Sequence, residues 1–420
     1  MKIVIVNYRY FISGGPERYL FNIKSLLERN GHLVIPFSIK HNKNRPSIYE
    51  NYFLDSVGNG DEIFANEYKK TNIKTVSTVL GRMLYSFDAK SKFKKLLRDT
   101  KPDLVYVLYF QNKMSTSIID AAYEMKVPIV QRISDFGHIC ANNVFYIYQK
   151  KQSCERCLHG SKLNAIKYKC VNNSFFNSFI KVLALKIQDI RKTRKKISAF
   201  VIPAEFTAQK FKEFGIPAKK IHCIPTFYNR TEDDNNGGIS YENFFLYVGR
   251  VDPDKGILTL VKAFEDTPYK LVVIGSSIDG YDAVIKKYLA GKNHNITFLG
   301  NLDFNEIKPY LKSCLCTLCP SEWYDNLPNT VLESYAYSKG VIASRIGALI
   351  DLVADNQTGL SFTAGNHLEL RSKVKHLFDN KSEAIRLGTN AKEKLLTEYS
   401  ENLHYERLLY LFNSLVSGKN

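Results

Sequence analysis

The sequence predicts an α/β protein of two domains, each built from parallel layers. Strand-like apolar runs alternate with amphipathic helical patterns along the chain, as βαβ units do. The 420 residues exceed what one core organises, which suggests two domains of about 200 residues each. A hydrophobic content of 45% with 13% aromatics marks a globular chain rather than a disordered one.

The chain opens with a strand from Lys2 to Asn7, then S-G-G-P-E-R, a helical pattern and N-G-H-L-V. Pro16 suits the first helical position and Gly31 the residue just past the helix end. The glycine spacing lacks the third glycine of a dinucleotide fingerprint, which argues against a dehydrogenase. The apolar run after Met1-Lys2 is short and no small-residue cleavage site follows, so no signal peptide is expected. No segment approaches the ~18 to 20 uninterrupted apolar residues of a membrane span. The expected location is the cytoplasm. No internal repeat or low-complexity tract is present.

The formal net charge is +18. Cations concentrate in the N-terminal half. Residues 90–101 hold Lys90, Lys92, Lys94, Lys95, Arg98 and Lys101, and residues 181–196 read K-V-L-A-L-K-I-Q-D-I-R-K-T-R-K-K. In the second run Val182, Leu183, Leu185, Ile187 and Ile190 form an apolar component. Such a basic amphipathic stretch suits an anionic membrane at the inner face of the cell, and equally a solvated helix face. Acidic acceptors or nucleic acid would also explain the charge. No base-stacking motif accompanies it, and Asp325 and Glu333 would repel phosphates, so a nucleic-acid partner is not expected.

Of eight cysteines, Cys223, Cys314, Cys316 and Cys319 fall in or beside apolar runs and read as buried small hydrophobes. Cys140, Cys154, Cys157 and Cys170 lie in one lysine-rich stretch, an insertion near 138–172. There Cys154-Glu-Arg-Cys157 has zinc-knuckle spacing. A structural four-thiolate zinc site would pin a segment that lacks its own core. His138 and His159 are substitute ligands, and four unliganded thiols are the plain alternative. No catalytic metal or other cofactor is expected, since no D-x-D motif lies in a suitable place.

The seam between domains is expected at 228–243, where N-R-T-E-D-D-N-N-G-G reads as a linker. This gives an N-terminal domain over 1–227, a C-terminal domain over 240–395 and a final helix within 396–420. That helix carries Leu403, Tyr405, Leu408, Leu409, Leu411 and Phe412 on an apolar face.

Residues 244–256 read F-F-L-Y-V-G-R-V-D-P-D-K-G, a buried strand followed by Gly249-Arg250 and Lys255-Gly256 before a helix. Ligands of doubly wound sheets bind beyond the carboxyl ends of the strands. Arg250 and Lys255 stand at that edge, an arginine fork and a point charge suited to a diphosphate. Residues 320–333 read P-S-E-W-Y-D-N-L-P-N-T-V-L-E. Pro328 is placed at the first helical position, with free backbone N–H groups before it where an anion binds. Asp325 sits on the loop and Glu333 more than a turn into the helix. Alone, this stretch also reads as a solvated helix start.

The order G-R-x4-K-G, V-I-G, F-L-G and P-S-x3-D-x7-E resembles the nucleotide-sugar half of family 4 retaining glycosyltransferases. The opening strand, glycine loop and helix are similar to that family's beginning. The resemblance implies a GT-B fold: two doubly wound Rossmann-like domains facing each other across a cleft, with the last helix crossing back onto the first domain. It implies sugar transfer from a nucleotide-diphosphate donor, with retention, to a glycan or lipid-linked acceptor in surface polysaccharide biosynthesis. Arg250 and Lys255 would neutralise the leaving diphosphate and Glu333 would hold ribose hydroxyls. Asp325 would hold the sugar, beside the amides of Asn326 and Leu327. Gly249, Gly14 and Gly15 would let backbone approach the donor. Two positions depart from the family. Asp325 stands where Glu is common, and Ser134-Asp135 replaces a His-Asp pair, so Ser134 takes the place of the sugar-contacting histidine. An epimerase or hydrolase on the same scaffold is the alternative; it would need an acid/base that Ser134 does not provide.

Overall fold

The computed structural model describes residues 1–57, 73–229, 238–277 and 280–418. Most of the expected linker run N-R-T-E-D-D-N-N-G-G lies outside the described residues. Fourteen strands are described, in chain order: β1 (Lys2–Val6), β2 (Leu33–Phe37), β3 (Leu104–Val107), β4 (Ile129–Arg132), β5 (Tyr146–Ile147), β6 (Gln152–Ser153), β7 (Ala199–Ile202), β8 (Ile221–Cys223), β9 (Phe244–Val248), β10 (Lys270–Ile274), β11 (Ile296–Gly300), β12 (Cys316–Cys319), β13 (Val341–Ser344) and β14 (Gly359–Phe362).

They form two six-stranded sheets, ordered β2-β1-β3-β4-β7-β8 and β11-β10-β9-β12-β13-β14, and a small β5-β6 hairpin. Every pairing within the two large sheets is parallel. The expected α/β architecture is therefore present twice. Its cause is visible in single strands, whose successive residues point to opposite faces. Val4 and Val6 enter one core with Phe93, Ile119 and Phe200, while Ile3 and Ile5 enter another with Tyr19, Leu20 and Tyr106. In the second sheet Phe245 and Tyr247 face Leu260 and Leu377, and Phe244 and Leu246 face Leu332 and Tyr335. Strands apolar on both faces read as near-continuous hydrophobic runs, which is the pattern seen in the sequence.

The first helix, Gly15–Arg29, ends as expected: Gly31 takes φ +78 just beyond the cap residue Asn30. Pro328 differs from expectation. It is the cap residue, and Asn329–Ala336 forms the helix. Its ψ of 117° is extended, so the helix starts one residue later. Cys223 also differs, being exposed on the edge strand β8, whereas Cys314, Cys316 and Cys319 are buried.

The insertion holds the hairpin β5-β6 and the short helices Arg156–His159 and Asn164–Lys167, and the longer helix Phe175–Ile190 follows it. Its own apolar cluster is small: Ala141, Cys157, Ala165 and Leu185. The final helix, Glu401–Ser417, places Leu408, Leu411 and Phe412 in the core with Ile3 and Tyr106. His404 bonds Tyr19 Oη at 3.0 Å and the Pro225 carbonyl at 2.6 Å, and Tyr405 Oη lies 3.0 Å from His32.

Candidate functional site

The carboxyl ends of β9 and β12 lie side by side, because these strands are neighbours in the second sheet. The loops that leave them carry Arg250, Lys255 and Asp325. Gly256, at φ +69, starts the helix Ile257–Phe264, and a Cβ there would collide with the Pro320 carbonyl oxygen. Only glycine lets the two loops pack this closely. The result is a direct bond between Lys255 Nζ and Asp325 Oδ1 at 2.6 Å. The other Asp325 oxygen accepts from Ser321 Oγ at 2.6 Å. Behind them is Gly347, at φ +57, where a Cβ would press on the Tyr324–Asp325 backbone, and the Ala348 N–H donates to the Asp325 carbonyl at 3.2 Å.

Arg250 stands at the same edge, following Gly249, whose Cβ position faces the Tyr247 hydroxyl. Its guanidinium forks between Asp252 and Asp254, the latter at 2.7 Å. Burial works against this charge, but Asp254 and Asp252 outweigh it and raise the Arg250 pKa further. The Trp323 ring lies under both cations, 5.7 Å from Arg250 and 4.8 Å from Lys255. Asp252, Asp254, Ser321, Trp323 and Gly347 were not singled out in the sequence. The signal available was proximity in the chain for the first four, and none for Gly347.

Glu333 is buried, which pushes its carboxyl upward, opposed by Arg18 of the first helix at 3.2 Å. Gly15 faces the same region, and a Cβ there would lie 2.7 Å from Asn329 Nδ2. Gly14 precedes the helix in an extended conformation. Asn326 reaches the first sheet: its Nδ2 donates to the Ile133 carbonyl at 2.8 Å and its Oδ1 accepts from Thr207 at 2.7 Å. The backbone N–H groups of Asn326 and Leu327 carry no hydrogen bond among the described residues. Loops from both sheets thus meet around Asp325, Asn326 and Glu333.

Ser134 and Asp135 follow β4, beside the Asn326 contact. Ser134 Oγ accepts from Arg132 at 3.0 Å. Asp135 accepts from the Gly137 N–H at 2.8 Å and Asn143 at 3.1 Å, and burial raises its pKa while Lys181 opposes this. His138 takes no place in the cleft. It is packed among Phe110, Phe200 and Phe211, bonded to Gln131 at 3.0 Å, and pushed down to about 3 by burial.

Cys140, Cys154, Cys157 and Cys170 line one small cavity. Burial raises the Cys157 thiol to about 12, with the other three cysteines adding to the shift. The Cys140 thiol donates to Asn142 at 2.8 Å. Among the described residues, potential ligand atoms gather within 4.8 Å only at Glu155, His159 and Glu213. There Lys210 already bridges Glu155 and Glu213. A larger cavity of about 850 Å³ lies between the insertion and the second sheet, touching Asn142, Asn143, Asn173, Lys181, Arg250 and Asp252.

Residues 229–394 match the model of the family described as "Glycosyl transferases group 1". The match covers the second sheet and the helices around it, and leaves the first sheet outside. The candidate residues Gly249, Arg250, Lys255, Asp325, Asn326, Leu327 and Glu333 fall inside the match. The chain is 29% identical over 201 residues to an uncharacterised glycosyltransferase of Methanocaldococcus jannaschii, covering 44% of this chain and 56% of that protein. It is 24% identical to the Salmonella typhimurium lipopolysaccharide 1,2-N-acetylglucosaminetransferase, covering 48% of this chain and 61% of that one. The chain thus spans about half the length of these curated relatives. A sucrose-phosphate synthase of Thermosynechococcus elongatus matches at TM-score 0.70 and 17% identity, covering 99% of both chains. Anabaena Alr3699/HepE, solved with UDP, matches at TM-score 0.62 and 16% identity, covering 99% of this chain and 100% of that one. These likenesses show the fold alone, which is GT-B.

Proposed function

We propose that the protein is a retaining glycosyltransferase that moves a sugar from a nucleotide-diphosphate donor to a glycan or lipid-linked acceptor during surface polysaccharide biosynthesis. The observation that carries this reading is the convergence of Arg250, Lys255 and Asp325 at the edge of the sheet that the family model matches. In the free protein Lys255 and Asp325 neutralise each other. The donor diphosphate offers Lys255 a stronger anion and releases Asp325 to accept from sugar hydroxyls. The C1–O bond breaks with its electron pair passing to the diphosphate, whose charge Arg250 and Lys255 stabilise. The acceptor oxygen bonds to C1 on the face the diphosphate leaves, and its proton passes to a phosphate oxygen. Asp252 and Asp254 hold the Arg250 fork in place, and Glu333 accepts from the ribose. Ser134 and Asp135 border the sugar from the first sheet. The cations supply the charge that a divalent ion would otherwise bring, so no catalytic metal is needed.

The acceptor enters from the first sheet's side, through the 850 Å³ cavity. The names of relatives support a glycan product: one is a Staphylococcus aureus capsular polysaccharide glycosyltransferase. A lipid-linked acceptor places the enzyme at the inner face of the cell membrane. We also propose a structural zinc held by Cys140, Cys154, Cys157 and Cys170. Four thiols line one cavity in a segment with little core; to hold the ion their sulfurs would have to draw closer together, with the Cys140 thiol turning from Asn142.

A thermal-shift screen against UDP-, GDP-, ADP- and CDP-sugars, with EDTA and no added metal, tests the reading. One nucleotide class should raise Tm, since ligand at 100 times Kd adds about 2.7 kcal/mol. No shift with any sugar or free diphosphate would sink it.

A further inference from the structure

We infer that the outward face of the helix Phe175–Ile190 is a docking surface for an anionic lipid bilayer. This rests on the proposed lipid-linked acceptor only for its purpose; the surface itself is read from the side chains. At 3.6 residues per turn, positions 175, 176, 179, 183, 186 and 190 fall within an arc of about 100°. That arc is the exposed side of the helix. Phe175, Phe176, Phe179 and Ile190 are 61, 63, 45 and 68% exposed, whereas Ser178, Ile180, Lys181, Ala184, Leu185 and Gln188 are buried. Three neighbouring phenylalanines open to water are a large uncompensated apolar surface, and such patches mark interaction sites.

The charges around this stripe identify the partner. Lys186 lies within the arc, Lys167 and Lys169 precede the helix, and Lys192 and Lys195 follow it; all five are exposed. None of the five makes an ion pair among the described residues. The acid at the end of the helix, Asp189, is taken by Lys162 and Arg194. Positive charge without an ion-pair partner thus sits on the stripe at Lys186 and in the chain before and after the helix. Protein interfaces are depleted in lysine at their centres, whereas interfacial helices combine aromatic residues with a lysine-rich border. At the C-terminal end Lys192, Lys195 and Lys220 edge a cavity of about 510 Å³, wide enough for lipid phosphates. No described helix is long and apolar enough to cross a membrane, so the contact is peripheral.

The helix also has an inward role. Lys181 on its buried side, with Asn177 and the preceding Asn173, lines the 850 Å³ cavity that reaches Arg250. One helix therefore faces the bilayer on one side and the acceptor cavity on the other. An acceptor anchored in the membrane would meet the cavity with its sugar while its tail stays in lipid.

Sedimentation with vesicles tests the surface. Wild-type protein should bind vesicles of phosphatidylglycerol and phosphatidylcholine, and bind pure phosphatidylcholine at least tenfold more weakly. The Phe175→Ser/Phe176→Ser/Phe179→Ser variant should lose binding more than tenfold. Lys192→Glu/Lys195→Glu should lose roughly fivefold or more for each lysine reversed. Both variants alter exposed groups, so Tm and the nucleotide-induced shift should stay at wild-type values. Failure of the wild type to bind anionic vesicles would overturn the inference. So would undiminished binding by the phenylalanine variant, or a variant effect on oligomeric state in place of vesicle binding. Vesicle binding without any nucleotide shift would uphold the surface while removing the transferase reading.

Discussion

Arg250→Ala should cost stability as well as turnover. The Asp254 side chain is wholly buried, and Arg250 Nη2 is its cation at 2.7 Å; the other Asp254 oxygen has no hydrogen-bond partner. Removing the guanidinium strands a carboxylate in the interior. Breaking a buried pair from one side costs about 3–5 kcal/mol. The Arg250 side chain is 35% exposed, so water entering its place compensates in part. A net loss of about 2–3 kcal/mol is expected, which for a domain of this size lowers Tm by roughly 4–12 °C. Loss of one charged donor to the departing diphosphate adds a turnover defect of about a hundredfold. Differential scanning fluorimetry and a transfer assay at saturating donor separate the two effects. The double variant Arg250→Ala/Asp254→Asn should regain most of the lost Tm and none of the turnover. An Arg250→Ala protein melting within a degree of wild type would refute the stranded-charge argument. A double variant no more stable than the single one would do so too.

Asp325→Ala frees Lys255, so free diphosphate should still raise Tm while sugar transfer falls at least about a hundredfold. His138 and His404 are both held down to about 3 by burial, against about 6.5 when unfolded. Their neutral forms contribute stability that is whole above pH 6.5 and drains as pH falls towards 3, at up to about 2.7 kcal/mol per pH unit for the pair. Tm measured from pH 7.5 to 5 should fall less steeply in His404→Gln than in wild type. Purified protein should carry one zinc per chain by metal analysis, and Cys154→Ser/Cys157→Ser should carry none and melt lower. Gly15→Val would press on Asn329, 2.7 Å from the added carbon, and should weaken donor binding more than it lowers Tm.

The fold was readable because β1, β9 and β10 bury both faces, so F-F-L-Y-V and K-L-V-V-I read as continuous apolar strands. The two loops rich in charge were readable for the same reason, since they follow such strands directly. What the sequence hid were partners distant in the chain. Nothing local links Arg18 to Glu333, or Thr207 to Asn326. Gly347 gave no sign that it lies beneath Asp325, because its neighbour is chosen by the pairing of β12 with β13. Asp252 and Asp254 stand beside Arg250 in the chain, but only the folded contacts show that they hold it. A helix start at Pro328 falls one position early, because proline suits both a cap and a first turn. Cys223 reads as apolar, yet β8 is the last strand of its sheet and leaves the thiol open.

The final helix has a consequence for how the protein is made. Leu408, Leu411 and Phe412 complete the core that Ile3, Ile5 and Tyr106 begin. On the ribosome the first sheet emerges early, but the residues that close its underside leave the exit tunnel only after the whole second domain has been synthesised. Until then that apolar face stays open to solvent or to a chaperone. Synthesis of the second domain therefore precedes completion of the first, and a nascent chain stalled before residue 400 would be a target for proteolysis rather than a partly active enzyme.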